Sequence, residues 1–156
     1  MEHSVVVKLE KITKRFGPVT ANENVDLLLN KGEIHALLGE NGAGKSTLMN
    51  MLSGIYSPDS GSIFVHSEKV HFTSPKHAIS YGIGMVHQHF KLVDSFTAKE
   101  NIIAGSNKSF FTKGNKELDE IKALCKKYNL SLDLDKKVMD MSVSEKQMLE
   151  IIKVIY

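Results

Sequence analysis

Residues 39–46 read Gly39-Glu40-Asn41-Gly42-Ala43-Gly44-Lys45-Ser46, followed by Thr47. The spacing is G-x-x-x-x-G-K-[ST], the pattern with which a loop holds a phosphate chain. Glycines let the backbone fold tightly, so that successive N–H groups face one anion-sized hollow. A helix starting at Lys45 adds the positive end of its dipole. The Lys45 ammonium is placed to reach the β- and γ-phosphates, and the Ser46 hydroxyl is a ligand type suited to Mg²⁺. The expected binding set is therefore Gly39, Glu40, Asn41, Gly42, Ala43, Gly44, Lys45, Ser46 and Thr47, acting on a nucleoside triphosphate.

The flanks supply the strand and helix that this loop needs. Upstream, Glu33–Leu38 has the core Ile34-His35-Ala36-Leu37-Leu38, which predicts a strand covered on both faces. Downstream, a helix runs from Lys45 to about Leu52, with Gly54 as its C-terminal stop. Further out, Val5, Val7 and Leu9 alternate with Val6, Lys8 and Glu10, a strand period. A turn at Phe16-Gly17-Pro18 precedes a second strand, Val25–Leu29. Pro58-Asp59-Ser60-Gly61 is turn chemistry leading into strands Ser62–His66 and Lys69–Phe72. Ser74-Pro75 predicts an N-cap followed by proline at the first helical position, in a short helix ending near Gly82. A strand over Ile83–His87 follows.

The last third turns helical. Thr97 and Glu100 form a capping-box pattern, and Ser142-Val143-Ser144-Glu145 forms another. Lys116–Tyr128 carries Leu118, Ile121, Leu124 and Tyr128 on one face, and Met148, Ile152 and Ile155 repeat at helical spacing after the second box. Residues 104–115 read as a loop. One partial domain is expected, divided into a β and phosphate-loop part (1–88) and a helical part (89–156).

Composition narrows the class. The 156 residues are 42% apolar and 24% charged, a globular balance. A net charge of +2 gives no sign of a nucleic-acid clamp. Apolar runs fall far short of the roughly 20 residues of a membrane span. Met1-Glu2-His3-Ser4 has no basic n-region, so secretion is not expected. The single cysteine, Cys125, forms no internal disulfide and fits a reducing compartment.

Three more segments narrow the nucleotide reading. Gly84-Met85-Val86-His87-Gln88-His89-Phe90 resembles the Q-loop of ATP-binding cassette (ABC) proteins. Thr97-Ala98-Lys99-Glu100-Asn101-Ile102 resembles the T-x-x-E-N-[ILV] run that follows it. Met141-Ser142-Val143-Ser144-Glu145-Lys146-Gln147 stands at the place of the signature motif. Ala36–Met49, Leu52-Ser53-Gly54-Ile55-Tyr56 and Glu150-Ile151-Ile152-Lys153 look most like bacterial importers of simple sugars and nucleosides, where two cassettes are usually fused.

The resemblance implies an α/β fold, the P-loop NTPase of ABC ATPases. It would have an N-terminal antiparallel β subdomain and a helical subdomain, and be incomplete at its C-terminus. It implies ATP and Mg²⁺ as ligands. Phe16 would stack on adenine, and Gln88 would contact Mg²⁺ and water, beside Ser46. Ser142, Val143, Ser144 and Glu145 would face the ATP of an opposing cassette. Implied partners are that second cassette, transmembrane permease subunits contacted near residues 89–96, and, indirectly, an extracytoplasmic solute-binding protein, with no nucleic acid. The implied location is cytoplasmic, on the inner face of the membrane.

The signature departs from Leu-Ser-Gly-Gly-Gln. Val143 and Ser144 replace both glycines, and a Cβ there obstructs close backbone approach to phosphate. Glu145 puts a charge where the family has glutamine. No Asp follows Asp140 and no His follows His89, so the Mg²⁺-binding aspartate, general-base glutamate and switch histidine of the family have no counterpart. The expectation is an ATPase by family whose 156 residues alone bind nucleotide with little or no turnover. Alternatives are a non-transport mechanical ATPase of the same family, a P-loop kinase, and a nucleotide-binding module without turnover. Among weaker signals, His87 and His89 lack a third metal ligand. Cys125 reads as a core residue, as does the cluster of Met139, Met141 and Met148.

Overall fold

The computed structural model describes residues 4–87, 90–105 and 115–156, which fall into two compact units divided between Gly84 and Met85. The first unit is built on a four-stranded antiparallel sheet. Its strands are β1 (Val5–Phe16), β2 (Val19–Asn30), β3 (Ser60–Val65) and β4 (Glu68–Val70), in the order β2-β1-β3-β4. Helix α1 (Lys45–Leu52) lies between β2 and β3 in sequence, and the short α2 (Pro75–Ser80) follows β4.

β1 shows the expected alternation, with Val7 and Leu9 buried and Lys8 exposed. Strict alternation would turn Ile12 to the opposite face from Leu9. Lys11 instead takes φ 51° within a break in the β1–β2 register, and this bulge lets Leu9 and Ile12 both face the core. They pack with Ile63, Val65 and Val70 of the sheet and with Leu48, Met51 and Leu52 of α1. α1 has the predicted bounds. It ends in a Schellman motif, with Ile55 N–H donating to the Asn50 carbonyl (2.9 Å), Gly54 N–H donating to Met51 (3.2 Å), and Gly54 at φ 74°. α2 is capped as expected, the Ser74 hydroxyl accepting from the His77 N–H at 3.2 Å.

Two predicted strands are absent. Residues 33–38 pair with no described strand, and Ile34 (99%) and Leu38 (87%) are almost fully exposed. The apolar run marks what a sheet would cover, but a ladder needs a neighbour. Residues 83–87 are likewise unpaired, with Val86 exposed and Ile83 partly buried against the first core.

The second unit is helical: α3 (Ala98–Gly105), α4 (Asn115–Lys127), a 3₁₀ turn at Val138–Asp140, and α5 (Val143–Ile155). Its core joins Ala98, Ile102, Ile121, Leu134, Val138, Met141, Leu149 and Ile152. Cys125 packs at its margin, where burial pushes the thiol pKa up. Four expectations change. Met139 and Tyr128 are exposed, Tyr128 lying under the Lys127 ammonium. Ile155 is also exposed, the buried face of α5 being Leu149, Glu150 and Ile152. Of the predicted 104–115 loop, residues 104 and 105 close α3, residue 115 opens α4, and residues 106–114 lie outside the described residues.

Candidate nucleotide-binding site

The loop of residues 39–44 is solvent-exposed along most of its length and runs into α1. Gly44 is the N-cap of that helix, with φ 79° and ψ 2°, a left-handed conformation that glycine adopts without strain. It is also pressed against β2. A Cβ on Gly44 would lie 2.1 Å from the Ala21 carbonyl oxygen and 2.8 Å from Asn22 Nδ2. Only glycine fits, so the sequence pattern has a steric cause here.

Lys45 arches back over the loop. Its ammonium donates to the carbonyls of Gly39 (2.7 Å) and Glu40 (2.6 Å), while Ala43 N–H donates to Glu40 (3.2 Å). One cation thus closes the loop on itself. The first turn of α1 contains no acidic residue and receives no side-chain cap. Its leading N–H groups therefore keep their positive partial charge for an anion. Ser46 is exposed in that first turn and Thr47 is half-buried beside it.

Phe16 ends β1 and is half-exposed. Its ring meets Tyr56 edge to face at 5.3 Å, and the Lys14 ammonium lies 5.5 Å from its centroid. Asp59 fixes this strand end. Its carboxylate accepts from Lys14 Nζ (2.8 Å) and from the Arg15 N–H (2.7 Å), and these bonds, Lys14 first, hold its pKa below the ordinary range. Lys14 lies opposite Asn22 in the β1–β2 ladder. The same end of the hairpin therefore carries Phe16 and the residues that touch Gly44.

Gln88 and His89 lie outside the described residues. The run after them is held by polar contacts within the helical unit. The Glu150 carboxylate, buried on α5, accepts from the Lys91 N–H (2.7 Å), and Lys153 Nζ donates to the Lys91 carbonyl (2.7 Å). Asn101 brackets Val93, its Oδ1 accepting from the Val93 N–H (2.8 Å) and its Nδ2 donating to the Val93 carbonyl (3.1 Å). Among the described residues no group of three or more His, Cys, Asp or Glu side chains could hold a metal.

Ser142 is the N-cap of α5. Its hydroxyl accepts from the Glu145 N–H (3.3 Å), and Glu145 accepts from the Ser142 N–H (2.7 Å), completing the capping box. Lys136 Nζ donates to both Glu145 oxygens (2.8 and 3.0 Å). Together these bonds, the Lys136 contact foremost, lower the Glu145 pKa to about 2. Val143 is 64% exposed and Ser144 is also exposed.

No local sequence pattern marks Asn22, Tyr56, Glu150 or Lys136 as a site residue, and Asp59 stands in the sequence only as part of a turn. The local sign for the 91–93 bracket is Asn101 within its T-x-x-E-N run.

The ABC transporter family pattern matches residues 22–156. A nucleoside import ATP-binding protein of Lactococcus lactis, NupA, is 49% identical over 161 residues, covering 100% of this chain and 31% of the relative. A guanosine import ATP-binding protein of Bacillus subtilis, NupO, is 48% identical over 97% of this chain and 30% of its own length. A galactose/methyl galactoside import ATP-binding protein of Clostridium perfringens, MglA, is 41% identical, with 99% of this chain and 30% of that protein covered. The chain thus spans about a third of the curated relatives it matches. Among solved structures, an ATP-binding cassette of an ABC transporter in its ADP conformation superposes with a TM-score of 0.85 at 25% identity, covering 97% of this chain and 64% of that one. No helix among the described residues is long and apolar enough to cross a membrane. Matched along almost its whole length by pattern, relatives and structure, the chain belongs to the ABC transporter family.

Proposed function

We propose that this chain is the phosphate-loop and signature segment of an ATP-hydrolysing cassette that powers uptake of a sugar or nucleoside through a membrane permease. The observation that carries the reading is the loop itself. Gly44 is wedged against β2, Lys45 is gathered over the loop, and the first turn of α1 has no anion of its own. When ATP enters, the Lys45 ammonium exchanges two carbonyl partners for phosphate oxygens, a charge-assisted contact. The N–H groups at the start of α1 would orient the phosphate chain, and Mg²⁺ would be held by the Ser46 hydroxyl and the side-chain amide oxygen of Gln88. Bound Mg²⁺ would neutralise charge building on the phosphates. Phe16 presents a half-exposed ring for the base, braced by Tyr56 and Lys14.

Ser142 and its neighbours would meet the nucleotide of a second cassette, and the permease would dock near residues 89–96, putting the segment on the cytoplasmic face of a membrane. By themselves these 156 residues would bind nucleotide with little or no turnover. The test is calorimetric titration of the purified protein with Mg-ATP. Lys45→Ala is expected to weaken binding about tenfold or more with the circular dichroism unchanged. Equal affinity in wild type and Lys45→Ala refutes the assignment.

A further inference from the structure

Asn22 sits on β2 and is only 7% exposed. Its Nδ2 donates to the Gly44 carbonyl at 3.3 Å, and that same carbonyl accepts from the Leu48 N–H at 2.9 Å as the first bond of α1. Its Oδ1 is buried and finds no partner among the described residues. Burying an amide oxygen unpaired is unfavourable. An apolar side chain of the same size would avoid that cost, and Gly44 would still have the Leu48 bond. The amide therefore does something that stability alone does not ask for.

The geometry of one peptide unit supplies the reason. The C=O of Gly44 and the N–H of Lys45 belong to the same rigid plane and point in opposite directions. Fixing the carbonyl between Asn22 and Leu48 turns the Lys45 N–H away from the helix body and toward the loop hollow. The close approach of Gly44 to the Ala21 carbonyl leaves this peptide little room on the β2 side.

We propose that Asn22 is a positioning residue for the phosphate loop, its amide presetting the Gly44–Lys45 peptide so that the Lys45 N–H meets a nucleotide's phosphate without prior rearrangement. This rests on the nucleotide-binding reading of the loop. Preorganised donors bind more tightly because the ordering cost is met on folding. Asn22 touches no phosphate itself and acts through Gly44.

The experiment compares wild type, Asn22→Leu and Asn22→Asp by calorimetric titration with Mg-ADP and by thermal unfolding. Asn22→Leu removes the donor and the orphaned oxygen together. Its melting temperature is expected to hold or rise while ADP affinity falls roughly three- to tenfold, the worth of one neutral hydrogen bond. Asn22→Asp keeps the size but sets a carboxylate against the Gly44 carbonyl, and ADP affinity falls further. The opposed signs of stability and affinity in Asn22→Leu mark positioning, since an ordinary packing residue lowers both. Unchanged ADP affinity in Asn22→Leu, or a loss of affinity that only tracks a lower melting temperature, overturns this inference while leaving the loop assignment intact. If Asn22→Leu does not fold, unchanged affinity in Asn22→Asp overturns it. Wild-type protein that binds no ADP overturns the nucleotide reading, and this inference with it.

Discussion

Replacing Gly44 by alanine puts a methyl carbon 2.1 Å from the Ala21 carbonyl oxygen and 2.8 Å from Asn22 Nδ2. Ordinary contact between such atoms is about 3.5 Å, so the end of the loop has to move by more than 1 Å. The neighbour is strand backbone, tied to β1 by the sheet ladder, and cannot move aside as a flexible side chain would. Alanine at φ 79° adds roughly 1–2 kcal/mol of left-handed strain. The displaced peptide carries the Lys45 N–H, and the shift also draws on the Asn22 bond to the Gly44 carbonyl. Losing one or two bonds to charged phosphate, at about 1.5–3 kcal/mol each, lowers affinity by about ten- to a hundredfold or more.

Gly42→Ala is the control. Gly42 also has a positive φ, 86°, but a Cβ there meets nothing within 4 Å. It bears the backbone strain without the collision. Titration of both variants with Mg-ADP, beside a melting curve for each, separates the two effects. The expected order of affinity is wild type, then Gly42→Ala, then Gly44→Ala with a gap of tenfold or more below it. If Gly44→Ala binds as well as Gly42→Ala, the contact with β2 does not shape the site and the steric argument is wrong.

Other outcomes follow from the same structure. Phe16→Ala is expected to weaken Mg-ATP and Mg-ADP equally, because both carry the base, while Phe16→Tyr binds like wild type; titrations with both nucleotides check this, and a loss selective for ATP removes the ring from the base. The Glu145 pKa is lowered from 4.5 to about 2 in the folded chain, so its stabilisation is present above the unfolded value and is lost as pH falls from 4.5 toward 2. Urea midpoints measured across that window should fall less steeply in Glu145→Gln than in wild type. Glu150→Ala leaves the Lys91 N–H without its acceptor, at a cost of about 1–3 kcal/mol, visible as a lower urea midpoint, whereas Glu150→Gln keeps an acceptor oxygen and most of the stability.

What could be read in advance was what local spacing dictates. The octet 39–46 predicted the loop, and the bounds of α1, the Ser74 cap and both capping boxes followed from residues within a few positions of each other. What needed a partner far away in sequence was not legible. The apolar run at 34–38 announced a strand, but no pattern within it says which strand lies alongside, and among the described residues none does. Alternation in β1 stops being informative at Lys11, where the bulge resets the register. Asn22 looks like any polar strand residue until Gly44, 22 positions on, is seen against it. Glu150 breaks the apolar pattern of α5 and so reads as solvent-facing. It is buried because the Lys91 N–H, 59 positions away, needs an acceptor.

The signature segment shows how local chemistry can change the meaning of a substitution. A glutamate at position 145 reads as repulsion toward phosphate, since it adds a charge at a helix N-terminus where an anion would be expected. The fold gives that charge two other tasks. One oxygen closes the capping box on the Ser142 N–H, and both oxygens are held by Lys136. The Lys136–Glu145 pair is close to neutral as seen from outside, and the low pKa keeps Glu145 ionised and paired at any ordinary pH. The Ser142 hydroxyl is likewise engaged, but only as an acceptor, so its own proton is still available to donate. The electrostatic objection to this signature therefore largely falls away. The steric one stands, because the exposed Val143 side chain projects from the first turn where a glycine would leave the backbone bare. If this face meets a second nucleotide, it is the volume at Val143, and not the charge at Glu145, that sets how closely the phosphate can approach.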